Sequence, residues 1–161
     1  MVALHIVVSV GLLGLSFAMF VLATAAALTS DVATSQAAYR AMGIFTRGVV
    51  QPMAILAIVT GVVLSLGTKW GLFQHVWIVV KLVLTVATIL CGMLILSPMR
   101  QYAIAATSGA APLSPPDLGS TPWMMVATTA ANVLMLGAAT FISVYKPWGT
   151  IWRRVAGRVR A

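Results

Sequence analysis

The chain has 161 residues, 61% of them hydrophobic and only 7% charged, and its mean hydropathy is +1.04. A soluble domain carries about a quarter of its residues as charges, so this balance excludes a soluble globular protein and implies an integral membrane protein. The net charge of +8 lies at the ends of apolar runs, which points to anionic lipid headgroups as a partner and away from nucleic acid.

Four apolar runs can each cross a hydrocarbon core, which takes about 20 residues. They predict helices over 3–28, 41–66, 76–96 and 123–144, an all-α, up-down four-helix bundle forming one transmembrane domain over 1–145. The first run starts directly after Met1 without a basic lead-in and is too long for a signal core, so a retained anchor is expected, with cleavage near "ATA" as the alternative. Its polar and small residues, His5, Ser9, Leu12, Ser16, Ala23 and Ala27, share one helical stripe.

The segment "TSDVATSQAAYR" is read as a polar connection. In the second run Pro52 lacks an N–H, which frees the carbonyl of Gly48 and favours a kink. The Gln51 amide either satisfies that carbonyl or faces a ligand. Its stripe is Arg47, Gln51, Ala54, Ile58, Gly61 and Ser65, with Arg47 read as a headgroup contact near the outer end.

After the short turn "GTKWGLFQH" containing Lys69, the third run, "HVWIVVKLVLTVATILCGM", places Lys81 in an apolar helix. Gln74, Trp77, Lys81, Thr85, Thr88 and Gly92 form its stripe, while His75 lies roughly 120° away from Lys81 at 3.6 residues per turn. The lone Cys91 has no disulfide or zinc partner and reads as packing. A proline- and glycine-rich loop, "SGAAPLSPPDLGSTP", leads to the fourth run, whose stripe is Thr121, Thr128, Asn132, Ala139 and Ser143. Residues 146–161 hold half of the ten positive charges, and the positive-inside bias puts both termini in the cytoplasm of an inner or plasma membrane protein. That tail reads as a basic amphipathic helix on anionic lipid, with Trp148 and Trp152 at headgroup depth.

Lys81 has no acidic residue nearby in the sequence, since Asp31 and Asp117 are the only two and both fall in connections. Two readings stand: the side chain snorkels to the interface past Trp77, or it binds an anionic group, acts as a base or ligates a metal. His5 is either a water-accessible terminal histidine or an inward axial ligand for haem iron. Helix counting puts His5 and Lys81 in the same half of the bilayer, where they can bracket one ligand. No zincin, nucleophile elbow, phosphate loop or CxxCH motif occurs, and no carboxylate pair, which argues against hydrolase chemistry.

Three stretches, "LHIVVSVGLLGLSF", "QPMAILAIVTGVVLSLG" and "VWIVVKLVLT", together resemble the small four-span haem-associated superfamily. That group includes the HemJ-type protoporphyrinogen oxidases, the CopD-like membrane domains and many uncharacterised predicted integral membrane proteins. The likeness covers residues 5–95. In HemJ-type proteins an early histidine and the lysine of a W-x-x-x-K-like segment form the functional pair, so the resemblance assigns those roles to His5 and Lys81, with Trp77 as the tryptophan. The basic cluster that precedes the second span in HemJ is reduced to Arg40 and Arg47. With "WGL", "W-x-x-x-K" and a final "KPWG", the chain looks most like the uncharacterised, actinobacterial-looking members, for which the resemblance implies a fold and no particular reaction.

The expectation is a small redox-associated membrane protein that binds b-type haem, or a quinone-like ring, inside its bundle; if an enzyme, it is a haem-dependent membrane oxidoreductase. Lys81 is the candidate catalytic group, His5 the candidate metal ligand, and Trp77, Ser9, Gln51 and Thr85 complete the expected cofactor site. The competing expectation is a non-catalytic accessory or scaffold subunit, as a homo-oligomer or within a larger membrane complex. A transporter ranks below both, because no inverted repeat is evident and a lone cation makes a poor cation path.

Overall fold

Inside a bilayer every backbone N–H and C=O needs a partner from the protein, and a helix supplies one locally. The computed structural model describes residues 1–67, 75–109 and 111–145, and these residues form six helices. They are α1 (Val2–Leu28), α2 (Val32–Phe45), α3 (Gln51–Leu66), α4 (Val76–Cys91), α5 (Ser97–Thr107) and α6 (Thr121–Tyr145). Four continuous rods result: α1, α2 with α3, α4 with α5, and α6, each long and apolar enough to cross a membrane. The expected all-α four-helix bundle is the observed one. The Lys69 turn, Gln74 and the tail over 146–161 with Trp148 and Trp152 lie outside the described residues.

Two rods run past the predicted spans. The second begins at Val32 and the third continues to Thr107, so "TSDVATSQAAYR" is mostly helix and not a connection. Asp31 caps α2 by accepting a hydrogen bond from the Thr34 N–H at 2.8 Å, and the Thr34 hydroxyl donates to the same oxygen. The two added segments carry polar residues that end the apolar run, and their inner faces mix apolar residues with buried Ser35, Arg100 and Thr107. Ala38, Tyr39 and Met42 of α2 and Ala103 of α5 pack with Met19, Ala23, Leu118 and Met125 into one buried cluster. Leu118 comes from a short 3₁₀ turn (Pro115–Leu118) in the proline-rich loop, closed by reciprocal bonds between Ser114 and Asp117.

Exposed apolar residues mark the lipid belt. On the second rod they run from Ile44 to Leu66, about 33 Å at 1.5 Å per residue, close to the ~30 Å of a hydrocarbon core. The first part of α2 therefore projects beyond the belt and meets α5 there. At the opposite end α3 and α4 scarcely touch, while α1 and α6 pack along each other and hold the other two rods. The second and third rods converge near Asp31 and part near His5.

Both long rods contain a π-helical turn directly before a proline: Thr46–Val50 ahead of Gln51-Pro52, and Gly92–Leu96 ahead of Ser97-Pro98. A proline in an α-helix collides with the carbonyl four residues back, Gly48 or Leu94 here, and one extra residue in the preceding turn relieves the clash. The expected disturbance at Pro52 thus takes the form of a π turn, and the Gln51 backbone N–H reaches the Thr46 carbonyl. Arg100 of α5, 2% exposed, links the first turn to the third rod: its Nη1 donates to Thr46 Oγ1 at 3.0 Å, while its Nη2 donates to Ser97 Oγ on its own helix at 3.4 Å.

Met125 is fully buried whereas Leu134 on the same helix is 72% exposed to lipid. Met125→Ala is expected to cost about 2–5 kcal/mol in unfolding measured in mild detergent, and Leu134→Ala close to nothing. The Asp31 carboxylate is held below its ordinary range by the Thr34 hydroxyl and N–H. Its capping contribution is complete above the unfolded carboxylate's pKa and is lost as pH falls through the lowered folded value. Faster amide exchange at Thr34 is expected both in that acid range and, at neutral pH, in Asp31→Ala.

Candidate functional site

Each of the four rods sends one polar side chain to a single point near the parted end of the bundle. His5 comes from α1, Thr60 from α3, Lys81 from α4 and Ser143 from α6. His5 Nδ1 lies 2.8 Å from Thr60 Oγ1, Lys81 Nζ lies 3.2 Å from His5 Nε2, and Lys81 Nζ donates to Ser143 Oγ at 3.3 Å.

Proton counting assigns the roles in this chain. The Thr60 hydroxyl has one proton and lies 2.7 Å from the Leu56 carbonyl. With the proton on that carbonyl, Thr60 accepts from His5 and the imidazole hydrogen belongs on Nδ1. Nε2 is left with its lone pair and accepts from Lys81. An ammonium has three donors, and two of them are used by His5 and Ser143. Both acidic residues are far from this point and occupied: Asp31 caps α2 and Asp117 closes the Ser114 turn. Lys81 is thus solvated by neutral acceptors.

Gly61 makes room for the imidazole. A Cβ at that position would stand 3.1 Å from His5 Cε1, so a larger residue would push the ring towards Lys81. Around the pair lies a cavity of about 410 Å³, walled by all four rods. His5, Ser9, Trp77, Lys81 and Thr85 all line it, so five of the six residues expected at the cofactor site share one chamber. Gln51 does not. It borders a second cavity of about 420 Å³ near the π turns, together with Thr46, Thr88, Gly92, Ser97 and Asn132. The helical stripes explain this division: each runs the length of its helix, whereas Leu12 and Thr85, which line both cavities, form the boundary between them.

Thr60 was not legible from the stripes, being one position off the second-span stripe at Gly61. The available signal was a hydroxyl beside a glycine, facing the turn of the first span that holds His5. Arg100 lies beyond the predicted third span and so escaped the reading altogether. On α6 the buried hydroxyl is Thr129 and not Thr128. His75 is buried, with its ring 6.3 Å from that of Trp77, and is not part of the Lys81 chamber lining. Among the described residues no three His, Cys, Asp or Glu side chains gather as a metal site, so a metal here would rest on His5 and on what a cofactor itself supplies.

The chain belongs to a family of predicted integral membrane proteins, DUF2269, whose model matches residues 1–147. No curated protein and no solved structure matches it.

Thr60→Val removes the acceptor that holds the histidine tautomer while keeping the shape. In ¹⁵N spectra of histidine-labelled protein, wild type is expected to show His5 protonated at Nδ1 and bare at Nε2. Thr60→Val is expected to mix the two tautomers, with about 1 kcal/mol of coupling between Thr60 and His5 in a double-mutant cycle. An unchanged His5 spectrum in Thr60→Val would refute the assignment.

Proposed function

We propose that the protein is a small redox-associated membrane protein whose His5–Lys81 chamber binds a flat ring, b-type haem first and a quinone-like ring otherwise. The observation that carries this reading is the pairing of one lone-pair nitrogen with one cation, without a carboxylate, at the wall of a chamber of about 410 Å³. Ring-sized sites are apolar cavities of ~300–1,000 Å³ with a few convergent polar groups.

The residues fit haem in three respects. His5 Nε2 is the unprotonated nitrogen that an iron ligand needs, with its ring held from behind by Thr60 at Nδ1. Lys81, lacking any acidic partner, is matched to a propionate. Small residues, Ser9, Gly61, Ser65 and Ala139, line the space beside them. Haem, when bound, would supply one-electron redox chemistry tuned by its axial ligand and the dryness of its pocket. For the chain itself, the necessary change is that Lys81 turns its donors from Nε2 to an anionic group of the ligand while keeping Ser143. A quinone carbonyl would accept from the same lysine. The likeness of His5, Trp77 and Lys81 to the HemJ pattern supports the ring reading and makes a HemJ-like role its sharpest form.

The tail's positive charge supports an orientation in a bacterial plasma membrane with this chamber in the cytoplasmic half.

The test is the optical spectrum of protein purified in mild detergent from haem-replete cells, oxidised and dithionite-reduced. Wild type is expected to show a Soret band that shifts on reduction. His5→Ala is expected to lose it, and Lys81→Met to retain haem at least tenfold more weakly while keeping a histidine-ligated spectrum. A featureless wild-type spectrum without co-purifying quinone would sink the proposal.

A further inference from the structure

The second cavity differs from the first in the sign of its hydrogen-bonding need. Four of the six hydroxyls along its wall, those of the threonines, have given their protons to their own helices: Thr46 to the Met42 carbonyl at 2.6 Å, Thr85 to that of Lys81 at 2.9 Å, Thr88 to that of Leu84 at 2.9 Å, and Thr129 to that of Met125 at 2.8 Å. Each presents only lone pairs to the cavity. Asn132 is 8% exposed, lines the same space, and its Oδ1 has no hydrogen-bond partner. An orphaned amide oxygen so deep in a membrane protein is unfavourable unless a donor arrives. Two residues of the wall, Thr46 and Ser97, accept from the Arg100 guanidinium behind them. That cation makes the chamber unsuited to a metal or ammonium ion, although its wall is rich in acceptors. The missing donor is therefore neutral.

Size and softness narrow the occupant further. About 420 Å³ accepts a substituted ring, and Met19 and Met93 on the wall offer thioethers that pack well on aromatic edges. At the mouth, the exposed Gln51 adds an amide that can meet a second polar group. We infer that this chamber is a second binding site, separate from the His5–Lys81 site, for an apolar aromatic molecule carrying a hydroxyl donor, the hydroquinone class, with Asn132 Oδ1 accepting the hydroxyl. The group that marks the first chamber is the Lys81 donor, and the group that marks the second is the unpaired Asn132 Oδ1. The inference does not rest on haem occupying the first site.

The probes are duroquinol, kept reduced under anaerobic conditions, and its dimethyl ether, which has the same ring and no donor. Binding is read by equilibrium dialysis against detergent-purified wild type, Asn132→Leu, Gly92→Leu and Lys81→Met. Duroquinol is expected to occupy one site that persists in Lys81→Met, with the ether bound roughly fivefold to tenfold more weakly, the value of one buried hydrogen bond. Asn132→Leu is expected to remove that preference. A Cβ at Gly92 meets no atom within 4 Å, so Gly92→Leu can grow into the chamber and is expected to abolish both. Equal binding of quinol and ether to wild type, no binding of either, or binding lost in Lys81→Met and kept in Asn132→Leu would each overturn the assignment. The wild-type comparison needs no mutant and decides the question even if Asn132→Leu fails to fold.

Discussion

A lysine among apolar helices, in a chain whose only two side-chain carboxylates cap turns at the other end of the molecule, has to be solvated by neutral atoms. The structure meets that requirement with His5 Nε2 and Ser143 Oγ, and much of the site follows from it. Nε2 can accept only if Nδ1 carries the hydrogen; Nδ1 can donate only if Thr60 has turned its own proton away; Thr60 does so by bonding the Leu56 carbonyl. One cation thus sets the direction of every hydrogen bond in a relay that crosses all four rods. The His5 ring needs a gap to lie in, and Gly61 provides it. The arrangement satisfies the lysine without neutralising it, which leaves an attraction for an anionic or carbonyl-bearing ligand that a salt bridge would have removed.

Much of this was legible in the sequence because membrane helices are simple to read. Length and apolarity located four rods, and the 3.6-residue period put His5, Ser9, Trp77, Lys81 and Thr85 on inward stripes that the fold brings to one chamber. What escaped did so for physical reasons. A stripe gives the face of a helix and not the depth at which two helices meet, so Gln51 was grouped with residues a chamber away. Hydropathy stops counting where one face turns polar, so α2 before Ala41, with buried Tyr39, looked like a connection, and α5, with buried Arg100, fell outside the predicted third span. Thr60 is a neutral hydroxyl whose role depends on which proton goes where, and composition carries no record of that.

The two prolines show how one local rule shapes the interior. Pro52 and Pro98 each force a widened turn upstream, and both widened turns border the second chamber, since Thr46, Gln51, Gly92 and Ser97 are in its wall. Helices packed side by side would ordinarily collapse on such a space, because lipid-facing rods gain from close contact. Arg100 of α5 ties the two rods together beside the chamber: Thr46 of the first turn accepts one of its donors, and Ser97, one residue past the second turn and on the same helix as Arg100, accepts another. Its burial is costly unless its donors are met, and these two hydroxyls meet them.

Thr85 and Leu12 belong to both chambers, and that shared wall has a consequence for how the sites relate. Thr85 donates to the carbonyl of Lys81, one turn back on the same helix, so its hydroxyl oxygen faces the boundary while its hydrogen ties it to the segment that carries the lysine. A ligand that draws the Lys81 side chain out of its contact with His5 acts on the turn that also presents Thr85 to the second chamber. The separation is a single side-chain layer, and two packed groups that share a wall cannot shift independently in an interior as dense as a crystal. The two chambers thus meet at Thr85 and Leu12, the residues that they share.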